Sequence, residues 1–164
     1  MKTKREQLRI DPTKCTACHL CTMACAIKHH GIHGMLNPHL SRIKIHQYKP
    51  QEVNVPEVCM ACENAPCIKV CPVNARMRIS NGSVVTNVSL CIGCHACVYI
   101  CPVGSPEVHP ETGQTLTCDM CAEDKAGPWC VIACQEGALT LSDKDSLTIE
   151  TARNQAGRYK RMHA

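Results

Sequence analysis

Apolar and polar residues alternate only in short bursts along this chain, and each burst predicts a small extended element. Gln7-Leu-Arg-Ile10 alternates just ahead of the turn signal Asp11-Pro12 and predicts a strand. Ser41-Arg-Ile-Lys-Ile-His46 alternates again, and Val53–Val58 predicts a further extended piece interrupted by Pro56. Between two alternating segments of Arg76–Thr86 lies Asn81-Gly82, a strong short-range hairpin signal. Pro106–Thr117 predicts a second hairpin with Gly113 at its turn, and Gly137–Leu141 a last strand. From about Ser146, Leu147, Ala152, Ala156 and Tyr159 fall on one face of a terminal helix ending in the basic Arg158-Tyr-Lys-Arg161.

Between these elements cysteine sets the rhythm. Cys91-Ile-Gly-Cys94-His-Ala-Cys97-Val-Tyr-Ile-Cys101-Pro102 reads C-x2-C-x2-C-x3-C-P, the bacterial run for iron–sulfur ligation. Cys15, Cys18, Cys21 and Cys25 repeat that spacing. Cys59, Cys62, Cys67 and Cys71 widen the middle gap to four residues, and Cys118, Cys121, Cys130 and Cys134 widen it to eight. These four ladders use all 16 cysteines, enough for four [4Fe-4S] clusters at four thiolates each. Zinc also takes C-x2-C pairs, but it does not call for a third and fourth Cys at repeated x2 and x3 gaps. A disulfide framework needs an oxidising compartment, and no export segment is visible.

In two-cluster ferredoxins the fourth Cys of a run ligates the other cluster, so ladders work in pairs. Pro72 and Pro102 follow the fourth Cys of ladders two and three, which a short hairpin joins; Ala26 and Gln135 follow Cys25 and Cys134. This favours pairing ladder two with three and ladder one with four; sequential pairing is the alternative. The expected fold class is α+β. Two nested ferredoxin-like dicluster lobes would take residues 7–50 with 104–141 (outer) and 51–103 (inner), followed by a tail at 142–164. With fourth ligands exchanged, Cys15, Cys18, Cys21 and Cys134 hold one cluster, and Cys118, Cys121, Cys130 and Cys25 a second. Cys59, Cys62, Cys67 and Cys101 hold a third, and Cys91, Cys94, Cys97 and Cys71 the last.

The ladders resemble those of the four-cluster iron–sulfur subunits of anaerobic oxidoreductases: formate dehydrogenases, dimethyl sulfoxide and nitrate reductases, and ferredoxins linked to hydrogenase or carbon-monoxide dehydrogenase. The resemblance spans about residues 7–141 and implies the same outer and inner pairing. Leu8-Arg-Ile-Asp-Pro-Thr-Lys-Cys-Thr-Ala-Cys18 and Leu36-Asn-Pro-His-Leu-Ser-Arg-Ile-Lys-Ile45 look like the small subunits of tungsten aldehyde oxidoreductases. Benzoyl-CoA-reductase-type tungsten enzymes use similar small subunits. The resemblance therefore implies a non-catalytic relay. Its partner would be a tungsten- or molybdenum-pterin catalytic subunit, with further electron-transfer subunits or copies of itself beyond. The departures are the missing Pro after Cys134 and a His-rich insertion at residues 28–50.

Composition fits this reading. The 164 residues contain no Phe, one Trp and three Tyr, so clusters rather than aromatics are expected to fill the core, and the chain without them should not fold stably. The formal charge of +4 counts cysteines as neutral. Each oxidised cubane with its thiolates carries roughly −2, so the loaded protein is anionic and the basic pI is no argument for nucleic acid. No signal-length apolar run and no stretch long enough to span a membrane is encoded, and a cytoplasmic, anaerobic setting is expected. No Ser/His/Asp triad or Gly-rich nucleotide loop is present, which excludes the commoner catalytic classes.

Single residues carry weaker expectations. His29, His30 and His33 read as a solvated or interface loop rather than a metal site. His19 and His95, at equivalent ladder positions, should hydrogen-bond near a cluster. Trp129 should pack over a cluster and Tyr99 inside its own ladder, and the basic tail should dock on the catalytic subunit.

Overall fold

The computed structural model describes residues 6–49 and 52–143. The expected terminal helix and basic tail lie outside the described residues. Among the described residues, eight short strands form four two-stranded antiparallel sheets. In chain order they are β1 (Glu6–Ile10), β2 (Lys44–Tyr48), β3 (Val53–Glu57), β4 (Arg76–Arg78), β5 (Val84–Thr86), β6 (Glu107–Val108), β7 (Thr115–Leu116) and β8 (Leu139–Asp143). Five helices accompany them: α1 (Leu20–His30), α2 (Ile32–Met35), α3 (Pro66–Lys69), α4 (Ala96–Tyr99) and α5 (Trp129–Ile132). The architecture is the α+β, ferredoxin-like kind, with short helices beside small hairpins.

Three sheets are local hairpins, β2–β3, β4–β5 and β6–β7, and the fourth joins the two ends of the described chain. There Leu8 faces Leu141 and Ile10 faces Leu139 across the β1–β8 ladder. Leu8 and Leu139 then enter a buried cluster with Ile43, Val58, Cys21, Cys25 and Cys130. A second buried cluster gathers Ala65, Cys67, Val84 and Cys97. Cysteine supplies three of seven side chains in the first cluster and two of four in the second, so thiols do the filling that aromatics do elsewhere.

Three local expectations need correcting. The strand expected at Ser41–His46 begins at Lys44, because Ser41 closes a tight turn in which its hydroxyl donates to the Ile43 carbonyl at 2.8 Å. Pro56 does not interrupt β3; it pairs with Ile45, and a two-stranded sheet leaves each strand a free edge where its missing N–H costs nothing. The Asn81-Gly82 turn is longer than two residues. Gly82 N–H reaches the Ile79 carbonyl at 2.9 Å, and Gly82 takes φ 92° before the chain re-enters β5.

The first ladder departs most from the others. Its fourth cysteine, Cys25, lies inside the 11-residue helix α1, whereas Cys71, Cys101 and Cys134 each follow a one-turn helix directly. Helix α1 then turns back through α2. A Cβ at Gly34 would stand 2.1 Å from the Ala26 carbonyl oxygen, so only glycine permits this approach. Ala26 is fully buried beneath it, which is why no proline follows Cys25.

Candidate metal centres

All sixteen cysteines are free thiols. Cys15, Cys18, Cys21 and Cys134 line one recess, backed by Ile45, Pro56 and Leu139. A second is lined by Cys59, Cys62, Cys67 and Cys101, backed by Val84 and Pro106. Cys71, Cys91, Cys94 and Cys97 line a third, with Thr86, Thr115 and Arg76. The three recesses hold about 330, 340 and 290 Å³ of empty space, their open mouths included. Each thus receives three thiols from one ladder and the fourth from another. Of the remaining four, Cys25 and Cys130 lie in the first buried cluster and Cys118 packs against that cluster, while Cys121 is buried close to Cys25. Burial is the main cause that raises Cys121, and the nearby Cys25 adds to it.

Local backbone explains the convergence. A left-handed residue recurs two positions after the first cysteine of every ladder, at Ala17, Ala61, Gly93 and Met120, joined by His19, His95 and Cys121. Such reversals turn successive N–H groups inward to form concave anion sites of the kind that hold iron–sulfur clusters. Amides also point at individual sulfurs. Arg42 N–H donates to Cys25 Sγ at 3.3 Å, Ala75 N–H to Cys71 Sγ at 3.2 Å and Met120 N–H to Cys118 Sγ at 3.4 Å. At Gly93 the left-handed backbone combines with crowding, since a Cβ would meet the Gly113 carbonyl oxygen at 3.0 Å.

Burial dominates the electrostatics of most of these thiols. Burial pushes Cys21 up to about 11 and Cys130 up to about 12, and raises Cys118 well above the ordinary thiol range. Clustered thiols in apolar surroundings stay protonated until metal ionises them, so affinity for iron and folding are coupled. Cys91 is the exception. Burial raises it, but amide and hydroxyl hydrogen bonds from Thr115, the Gly93 amide and the Arg76 charge together lower it. Four soft thiolates around an apolar recess lined with amide donors fit a cubane cluster and suit neither a hard cation nor a small-molecule substrate.

The remaining sequence candidates divide. His95 Nε2 lies 2.7 Å from the Gly113 carbonyl and ties ladder three to the β6–β7 turn. Of the insertion histidines, His33 is exposed as in a solvated loop, whereas His29 and His30 are half-buried. Burial first, and then the Arg42 charge, push His29 down to about 4. His30 meets His109 in a tilted ring contact, with centroids 5.6 Å apart. His29 and Asp119 also approach Cys121 closely enough to share an ion, but Arg42 Nη1 already binds Asp119 Oδ2 at 2.6 Å. Trp129 is half-buried; its indole donates to Asp124 at 2.8 Å, with Lys28 5.5 Å from the ring centre. Tyr99 does not pack inside its ladder. It is 87% exposed, because two residues along a helix carry it to the face opposite buried Cys97.

Sequence reasoning missed Arg76, Thr115 and Thr117. The Thr-Leu-Thr alternation just before Cys118 was the available signal, since it sends both hydroxyls to one face. Thr115 Oγ1 lies 3.5 Å from Cys97 Sγ and 3.8 Å from Cys91 Sγ. Thr117 Oγ1 accepts from Arg76 Nη1.

Comparison with known proteins agrees with this geometry. Residues 51–144 match the family model described as a 4Fe-4S dicluster domain, and residues 12–26 match a 4Fe-4S binding domain. The chain is 37% identical over 134 residues to the aliphatic sulfonate oxidoreductase polyferredoxin-like subunit of Pyrococcus furiosus, covering 81% of this chain and 73% of that one. It is 33% identical over 166 residues to the thiosulfate reductase electron transfer subunit PhsB of Salmonella typhi, covering 94% and 84%. Among solved structures, a chain of the benzoyl coenzyme A reductase active site complex BamBC shares the fold with a TM-score of 0.52 and 24% identity, covering 87% and 78%. The chain belongs to the 4Fe-4S dicluster ferredoxin family. Within that class it is an iron–sulfur electron-transfer subunit of an oxidoreductase complex, and it is not itself the catalyst. No helix among the described residues is long and apolar enough to cross a membrane.

Proposed function

We propose that the sixteen cysteines hold four [4Fe-4S] clusters in interleaved quartets. The chain would relay electrons between a catalytic oxidoreductase subunit and a second redox partner. The observation that carries this reading is the make-up of the three recesses, each with three thiols from one ladder and a fourth from another. The gathering of Cys25 with Cys118 and Cys130 supports the same rule for the remaining quartet. The β1–β8 pairing supports nesting the inner lobe, residues 51–103, between the two parts of the outer lobe, residues 7–50 and 104–141.

When bound, each cluster supplies a one-electron centre that changes charge with little rearrangement. The chain's own work is to exclude water, point amides at sulfur and present two edges to partners. Cys18 and Cys94 are the exposed thiols, one in the outer and one in the inner lobe, and they mark where electrons enter and leave.

The catalytic partner in this reading is a tungsten-pterin enzyme of the aldehyde oxidoreductase type, working anaerobically in the cytoplasm. It rests on the resemblance of Leu8–Cys18 and Leu36–Ile45 to the small subunits of those enzymes. A partner acting on sulfur oxyanions is the second reading, favoured by the sulfonate and thiosulfate named for two relatives. Anaerobic purification with native companions, followed by elemental analysis, tests both. Tungsten co-eluting with a large subunit supports the pterin reading, and substrate screening of that complex separates aldehydes from sulfur oxyanions. Iron alone, with no companion chain, overturns the fixed-subunit reading.

A further inference from the structure

The four repeats bury one equivalent side chain each. It lies five residues after the fourth cysteine in three ladders, at Arg76, Pro106 and Leu139. In the first ladder the insertion displaces it to Ile43. Arg42 N–H reaches Cys25 Sγ as Ala75 N–H reaches Cys71 Sγ, and Ile43 follows Arg42 as Arg76 follows Ala75. Ile43, Pro106 and Leu139 are among the most completely buried side chains. Arg76 is equally enclosed, at 2% exposure, but carries a permanent charge where its counterparts are apolar.

No carboxylate pairs with Arg76 among the described residues. Its neighbours are two hydroxyls and a sulfur: Thr86 Oγ1 at 2.7 Å, Thr117 Oγ1, and Cys67 Sγ at 3.5 Å. Its Nε has no partner at all. Beside the outer ladders Arg42 is neutralised by Asp119 at 2.6 Å and Lys28 by Asp124 at 2.7 Å, while Arg78, beside ladder two, is half-buried and donates to backbone carbonyls, that of Cys62 among them. Arg76 also lines two recesses at once, the one holding Cys59, Cys62, Cys67 and Cys101 and the one holding Cys71, Cys91, Cys94 and Cys97. A buried, uncompensated cation is costly unless a negative charge faces it. Here the two anionic clusters of the proposed function would face it from either side.

We infer that Arg76 is a shared positioning residue that raises the reduction potentials of both inner clusters and makes them the favoured electron-holding pair of the relay. Reduction adds negative charge beside a fixed positive one in a poorly screened interior, so the reduced state of each inner cluster is stabilised. The outer clusters, flanked by Ile43 and Leu139 and by neutralised cations, gain no such stabilisation.

This inference rests on the four-cluster reading, and the experiment separates the two. Iron is counted first; a wild-type count well below about 16 atoms per chain overturns the four-cluster reading. With a full count, anaerobic potentiometric titration followed by electron paramagnetic resonance resolves the clusters. Arg76→Met should shift two of them at least tenfold toward the oxidised state at a given potential, about 59 mV for a one-electron couple. Arg76→Lys, which keeps the charge, should restore most of the shift. Unmoved potentials in Arg76→Met with full iron overturn the role of Arg76. Should Arg76→Met fail to assemble, Cys18→Ser decides. It alters an outer ligand and should leave the two higher-potential signals of the wild type untouched; loss of either one overturns the inference.

Discussion

The chain builds its two cysteine-filled regions by different means. Around ladders one and four, an 11-residue helix, a five-residue strand pairing and the aliphatic side chains Leu8, Ile43, Val58 and Leu139 surround the thiols. Around ladders two and three, the helices are single turns, β4–β5 pairs only three residues, and the buried cluster is Ala65, Val84 and two cysteines. The first region is closer to an ordinary apolar core that also accepts metal. The second buries fewer and smaller aliphatic side chains, chiefly Val84 and Pro106, beside its sulfurs and one guanidinium, so its order depends more heavily on what the thiols bind.

Removing iron should show this contrast at its largest. Anaerobic chelation should abolish fixed tertiary structure, with hydrogen-exchange protection lost first across residues 59–101 and last along β1 and β8. Uniform protection in the iron-free chain would remove the contrast. Next in size is Leu139→Ala, which empties a fully buried site against the Cys15, Cys18, Cys21 and Cys134 recess. It should cost about 2–5 kcal/mol and accelerate iron release from the outer region alone. Release kinetics followed by cluster absorbance would check it.

Gly34→Ala should come third. The added methyl collides with the Ala26 backbone, and helix α1 or α2 must shift by more than an ångström to admit it. Overpacking of this kind costs about 1–3 kcal/mol and should loosen Cys25 without touching the inner clusters, as thermal melts paired with resonance spectra would reveal. Smallest is Tyr99→Ser. Tyr99 is exposed and outside its ladder's packing, so stability should stay within about 0.5 kcal/mol of wild type. A larger loss would mean that the tyrosine packs as the sequence alone suggests.

How far the sequence was readable follows from what each signal depends on. Thiol spacing is local, so the ladders were legible, and β1, β8 and both hairpins were legible from alternation and Gly positions. The recess make-up depends on long-range closure, yet proline after Cys71 and Cys101 already hinted at which ladders belong together. Tyr99 was misread because proximity along a helix is not proximity in space; side chains two apart face away from each other. Arg76 was invisible for a different reason. Nothing local says that a charged residue in an alternating strand will face inward, and only its repeat partners Ile43, Pro106 and Leu139 expose the substitution. The histidine insertion reads as a solvated or interface loop because its residues are polar; His33 is indeed exposed, while α1 carries His29 and His30 into contact with Asp119 and His109.

The interleaving of the ladders is the claim on which the rest depends, and iron-edge anomalous diffraction from anaerobically grown crystals tests it most directly. Four cubanes are expected, with Cys25 bonded to the cluster of Cys118, Cys121 and Cys130, and Cys134 bonded to that of Cys15, Cys18 and Cys21. Iron held by Cys15, Cys18, Cys21 and Cys25 together would contradict it.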